Sequence, residues 1–327
     1  MRARRIALLI VAIAALLAVV SLASDVGTLG NKLAAFAWSA WFAAAALAVL
    51  NYVVRWVRWQ LYLQRRKIAV PAGSSAQIFV AGFALAVTPG KVGELVKAYL
   101  LRTLHGVPIT ASAPVVVAER VSDLVALLVL AVAGVAIYGV AVNVVIASAV
   151  VVGAGLVVLA WPRLAHGVIN LVTRPRRLRG LHDRLMHIYD GLADLTRPTV
   201  LLWSTAIGAA AWMCECIGFW LVLRGFVGTD VPLGLATLIY AATTIAGALS
   251  FLPGGLGGTE GAMTLLLVQT HHGVDNDTAI AAAILTRLAT LWLSVVLGVI
   301  ALAIVRRRGG RTEIPGEEPA IDVPPAV

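Results

Sequence analysis

The chain has 327 residues, 60% of them hydrophobic and 13% charged, with a mean hydropathy of +0.92. That balance excludes a soluble enzyme and describes an integral membrane protein with roughly six to eight spans. The net charge of +10 does not make it a nucleic-acid binder, because the charges sit in loops between apolar runs, where anionic lipid headgroups are the natural partner.

In chain order, apolar segments fall at about 6–23, 34–54, 115–139, 141–161, 200–223 and 277–305. Each approaches the ~20 residues that a membrane-spanning helix needs, which predicts six full crossings. The first follows Arg2, Arg4 and Arg5 and precedes Ser21-Leu22-Ala23, so a cleaved secretory signal competes with a retained anchor; its span length favours the anchor. Between the spans lie two segments of another kind, about 74–104 and 233–272. Each reads as a helix–break–helix hairpin that enters the membrane and leaves on the same side, although two full crossings each would keep the same parity.

Basic residues set the orientation. Nineteen of the 26 lysines and arginines cluster at 1–5, 55–67, 162–198 and 306–311, whereas the alternate loops hold only Lys32 and Arg224. The positive-inside rule then puts both termini in the cytoplasm, opens hairpin one from the cytoplasm and opens hairpin two from outside. The expected architecture is an all-α polytopic protein with an inverted repeat. It comprises an integral membrane domain over 1–308 and a disordered cytoplasmic tail over 309–327. Residues 178–196 form a polar helix whose apolar positions Leu181, Leu185, Ile188, Leu192 and Leu195 suit the membrane surface. Trp38, Trp56, Trp59, Trp161 and Trp203 stand near span ends, where aromatic belts form.

The chemistry concentrates at the breaks. The first reads Pro89-Gly90-Lys91-Val92-Gly93-Glu94 and the second Pro253-Gly254-Gly255-Leu256-Gly257-Gly258-Thr259-Glu260. Proline removes an amide donor and glycine tolerates unusual dihedrals, so Pro89, Gly90, Gly93, Pro253, Gly254, Gly257 and Gly258 must interrupt the helix. Freed backbone groups are costly in lipid, so such a break is buried in protein or lines a wet cavity, and a helix starting there favours an anion. Interrupted segments at matched places in two halves point to a transporter's binding site.

An arginine follows each glutamate at nearly equal distance: Arg120 lies 26 residues after Glu94, and Arg287 lies 27 after Glu260. With Lys91 at the first tip, these arginines are the candidate contacts to a lipid phosphate, for which a planar guanidinium is well shaped. Glu94, Glu260, Glu119 and Asp123 are candidates for gating or proton coupling. Capping by the two glutamates, and a charge-paired cluster that only holds helices together, stand beside that reading. Cys214 and Cys216 lie two apart in an apolar run and read as small core residues. His271 and His272, like His182 and His187, lack the geometry of a metal site. No Walker loop, nucleophile elbow or His-Glu-x-x-His motif occurs, so neither metal, cofactor nor enzymatic activity is expected.

The two break motifs, together with Glu119-Arg120-Val121-Ser122-Asp123, resemble the lysylphosphatidylglycerol synthase transmembrane region, also labelled a flippase-like domain or a UPF0104-type membrane protein. The resemblance covers roughly residues 5–305. It implies binding or translocation of a lipid, either an anionic phospholipid or a polyprenyl-phosphate-linked one, in the plasma or inner membrane. Fused members of that family also synthesise aminoacylated phosphatidylglycerol. With the chain ending at Val327, that activity is not carried over. Expected partners are membrane lipids, a second copy in a homodimer, and cell-envelope lipid or glycan synthesis enzymes. A membrane-embedded lipid-carrier transferase and a non-catalytic partner subunit are the rival readings.

Overall fold

The computed structural model describes residues 26–175, 178–270 and 272–309, except the side chains of 26–29, 90–92 and 308–309. Its helices are α1 (Val26–Ala34), α2 (Trp38–Arg65), α3 (Ala72–Gly82), α4 (Val96–His105), α5 (Ile109–Tyr138), α6 (Val142–Ala160), α7 (Pro162–Thr173), α8 (His182–Leu195), α9 (Pro198–Arg224), α10 (Leu233–Leu249), α11 (Gly258–Gln269), α12 (Asn276–Arg287) and α13 (Leu293–Gly309). A five-residue π turn, Leu288–Trp292, fuses α12 and α13 into one span. Five helices among the described residues are long and apolar enough to cross a membrane: α2, α5, α6, α9 and the fused α12–α13. The expected first span at 6–23 and the tail beyond 309 lie outside the described residues. Many large apolar side chains, such as Phe42, Ile137, Val150 and Leu202, face outward, as a bundle solvated by lipid requires.

Small residues let the helices approach. Gly218 on α9 meets Ala44 on α2, and a Cβ there would sit at 3.4 Å from it. A side chain at Gly298 on α13 would collide with the Phe83–Ala84 backbone at the end of α3. Where apolar burial gives no advantage over lipid, such close contacts are what hold helices together.

α3 and α4 form hairpin one, and α10 and α11 form hairpin two. At ~1.5 Å per residue their arms measure ~16, ~15, ~26 and ~18 Å, each short of a ~30 Å hydrocarbon core. The longest of them, α10, stops at Leu249. Both mouths are closed by contacts between their ends. Ser74 Oγ meets His105 Nε2 at 2.6 Å in hairpin one, and the Asp230 amide donates to the His272 carbonyl at 3.2 Å in hairpin two. The mouths lie at opposite ends of α2. Trp59 and Gln60, near its Arg65 end, both bond to Ser75 of hairpin one. At its Trp38 end, the Ala37 amide donates to Gly225, in the turn that leads into hairpin two. The two tips meet midway, with Val87 of one packed on Gly254 of the other. The repeat is therefore inverted.

Three local expectations need correction. Residues 55–67 are not a basic loop: α2 runs to Arg65, and Arg55 and Arg58 are buried inside the bundle. The run of cations masked a stripe, Asn51, Arg55, Arg58 and Tyr62, that shares one helical face. Trp59 is fully buried rather than in an interfacial belt. Finally, the polar helix over 178–196 is α8, which docks on α5 and buries Tyr189, Leu192 and Leu195, while Leu181 remains exposed.

Candidate functional site

The two breaks begin alike and then diverge. Thr88 and Leu252 are both extended, with ψ of 147° and 144°, and each hands over to a proline that opens a 3₁₀ turn. In hairpin one the turn is Pro89–Leu95, which runs directly into α4. Its Gly93 amide donates to Thr88 Oγ1 at 2.7 Å, and a Cβ at Gly93 would strike Leu85, so glycine there serves close approach. In hairpin two the turn is only Pro253–Gly255. Gly254, Gly255 and Gly257 have φ of 62°, 68° and 79°, the left-handed region that glycine enters without steric cost. Phe251, at φ 55°, takes the same region without that freedom, which marks this tip as strained. The side chain of Lys91, the third expected phosphate contact, lies outside the described residues.

The matched glutamates and arginines do come together, once in each half. Arg287 Nε donates to Glu260 Oε1 at 2.7 Å, and its Nη2 donates to the Gly254 carbonyl. Arg120 Nη2 lies 3.3 Å from Glu94 Oε2 and 2.9 Å from Asp123 Oδ2. Each arginine thus closes back on the break of its own repeat. Glu260 sits in the first turn of α11, where the helix dipole favours its charge.

Around Arg120 lies a buried network. Asp123 Oδ1 accepts from Arg58 at 2.6 Å and from the Trp212 indole at 3.2 Å, and its Oδ2 lies 3.3 Å from Arg55. Glu119 does not share Arg120. Its Oε2 instead accepts from Lys97 Nζ at 2.6 Å, and that ammonium lies 3.4 Å from Glu94. Lys97 is fully buried, its charge also lying 4.9 Å from the Trp59 ring centroid and 5.0 Å from that of Phe79. On α9, Glu215 accepts from the Tyr240 hydroxyl at 2.6 Å. Buried charges persist only when paired and hydrogen-bonded, and here cations and carboxylates interleave across four elements. Sequence reasoning missed Arg55, Arg58 and Lys97: their nearest carboxylates, Asp123 and Glu119, lie 22 to 68 residues away, and only the longer Lys97–Glu94 contact follows a local i,i+3 spacing.

Where the tips meet there is a small, partly open cleft of about 30 Å³. Its walls are Thr88 from hairpin one, Thr244, Gly247, Ala248, Leu252, Gly254, Gly255 and Thr259 from hairpin two, and Arg287. Three threonines, glycine backbone and one arginine offer the donors that an oxyanion uses. Arg120 does not line it. The geometry therefore separates two residues that matched spacing had made equivalent.

The chain matches the family model described as "Lysylphosphatidylglycerol synthase TM region" over residues 6–298. Among its relatives are three matches to proteins named "UPF0104 membrane protein" from Methanothermobacter thermautotrophicus. One is 24% identical over 64% of this chain and 68% of its own length. Another is 29% identical over 41% of each, and a third 23% identical over 68% and 71%. With nearly its whole length matched and with both broken hairpins in place, this chain is a multi-pass membrane protein belonging to the lysylphosphatidylglycerol synthase transmembrane-region family.

Proposed function

We propose that this protein carries a phosphate-bearing lipid, an anionic phospholipid or a polyprenyl-phosphate-linked one, between the leaflets of the cell membrane, with no reaction of its own. The observation that carries this reading is the cleft at the meeting point of two oppositely inserted hairpins, with Arg287 in its wall. Arg287 is held by Glu260 and the Gly254 carbonyl, so a phosphate entering the cleft competes with a carboxylate for the guanidinium. Exchange of that kind opens the second hairpin while keeping the guanidinium paired throughout, and the displaced Glu260 carboxylate avoids being left as an unpaired charge by taking up a proton. Arg120 and Glu94 make the corresponding latch of hairpin one.

Both termini are assigned to the cytoplasm, with hairpin one opening there. With Arg55 and Arg58 withdrawn from the loop tally, seventeen basic residues remain on that side against two on the other, so the asymmetry persists.

The test is translocation of fluorescent phosphatidylglycerol and phosphatidylcholine in proteoliposomes. Arg287→Gln is expected to insert and fold but to slow the anionic lipid at least tenfold, and the zwitterionic one less. Anionic transport at the parental rate would remove Arg287 from the site.

A further inference from the structure

Tyr52 and Arg55 stand three residues apart at mid-height on α2, between the two halves of the repeat. The Tyr52 hydroxyl donates to the Thr290 carbonyl at 2.6 Å, and Arg55 Nη2 lies 3.3 Å from Asp123 Oδ2. Thr290 comes three residues after Arg287, and Asp123 three residues after Arg120. One helix thus grips the corresponding position of both repeats from a single turn. The grips differ in kind: in the first repeat a side-chain carboxylate is held, in the second a backbone carbonyl.

That carbonyl belongs to the π turn Leu288–Trp292, in which the Leu293 amide bonds to the Leu288 carbonyl five residues back. Such single π turns alter the ladder locally and cluster at functional sites. This one begins directly after Arg287, so its register sets the direction in which the Arg287 side chain leaves the helix. The same two α2 residues also touch hairpin one, the Tyr52 ring lying 5.0 Å from that of Phe83 and the Arg55 guanidinium 5.6 Å from it.

Building on the reading of Arg287 as the phosphate contact, we propose that Tyr52 and Arg55 are positioning residues. Tyr52 aims Arg287 into the cleft by holding the π turn, and Arg55 holds Arg120 on Glu94 through Asp123. Because both grips sit on one rigid turn of α2, that turn holds both latches in one frame, with the Arg120 latch as the fixed reference against which the Arg287 latch opens.

A double-mutant cycle on lipid translocation tests this. Tyr52→Phe keeps the ring and its packing on Phe83 and removes only the donor. It is expected to slow phosphatidylglycerol about three- to tenfold, as loss of one buried hydrogen bond allows, and phosphatidylcholine less than twofold. The penalty should vanish in an Arg287→Gln background and persist in an Arg120→Gln background. Arg55→Lys, which keeps the charge but loses the guanidinium fork, should show the reverse dependence. Equal penalties in both backgrounds, or an unchanged phosphatidylglycerol rate in Tyr52→Phe, would overturn the proposal. An unchanged rate in Arg287→Gln alone would instead overturn the underlying assignment of the site, and the two failures are told apart by the single variants.

Discussion

The two hairpins carry the same motif and the same glutamate–arginine pair, yet they embed that pair in opposite ways. In hairpin one, Arg120 and Glu94 are two members of a network that also contains Asp123, Arg55, Arg58, Lys97 and Glu119. In hairpin two, Arg287 on the wall of a cleft forms a single pair with Glu260, over a tip that needs three left-handed glycines. A charge tied to many partners is expensive to move, because each partner must be satisfied again. A charge tied to one carboxylate and one carbonyl is exchangeable. From this difference we propose that hairpin one is the fixed side of the site and hairpin two the working side.

The largest effect that could break this comparison is on folding. Asp123→Ala leaves Arg55, Arg58 and Arg120 without their shared carboxylate, and loss of one partner from a buried pair costs about 3–5 kcal/mol. We expect little folded protein by size-exclusion chromatography and a strongly lowered thermal midpoint. Glu260→Ala should cost clearly less, because Arg287 keeps the Gly254 carbonyl and some exposure. Equal losses in the two variants would erase the distinction between a fixed and a working side.

Packing gives the next largest effect. Gly298→Ala places a methyl group against the Phe83–Ala84 backbone, and overpacking of that kind costs about 1–3 kcal/mol. Since α13 braces the outer arm of hairpin one there, proteolysis or cysteine accessibility should report loosening of hairpin one and leave the α10–α11 hairpin unchanged.

The smallest effect concerns the outer rim of hairpin two. Asp275 caps α12 by accepting from the Thr278 amide at 2.9 Å, and it receives Lys32 Nζ. Partial burial pushes its carboxyl up, but the hydrogen bonds from Lys32 and Thr278 outweigh that and draw it down from 3.8 to about 2. A lowered folded-state pKa means that its contribution is fully present above about pH 4 and is lost as pH falls through about 2. Asp275→Ala should therefore cost about 1 kcal/mol of stability or less at pH 7, as N-cap removals do, seen as a slightly lowered thermal midpoint. The gap to the parent should close between pH 4 and pH 2. A gap that stays constant over that range would show that the cap acts without its charge.

Much of this arrangement was legible in the sequence. Pro89 and Pro253 announce breaks because no ring nitrogen can donate, and the near-equal distances from Glu94 to Arg120 and from Glu260 to Arg287 announce a repeat, although not that each glutamate would meet its arginine. What was not legible is the inequality of the two pairs. It depends on Arg55 and Arg58, which the basic run over 55–67 disguised as a loop, although Asn51, Arg55, Arg58 and Tyr62 fall on one face of a continued helix. It depends also on Lys97, whose partner Glu119 is brought near only by the packing of α4 on α5. The divergent tips were hidden as well, since Gly93 and Gly257 both stand four residues after their proline but serve close approach in one case and a left-handed turn in the other.

The central claim is that a lipid phosphate enters the cleft between the tips and takes Arg287 from Glu260. A cryo-electron microscopy map of the protein in nanodiscs enriched in phosphatidylglycerol tests it directly. The account predicts phosphate density within hydrogen-bond reach of Arg287 and Thr259, a broken Arg287–Glu260 contact, and an unchanged Arg58–Asp123–Arg120 cluster. Phosphate density lodged against Arg120 instead, with Arg287 still closed on Glu260, would contradict it.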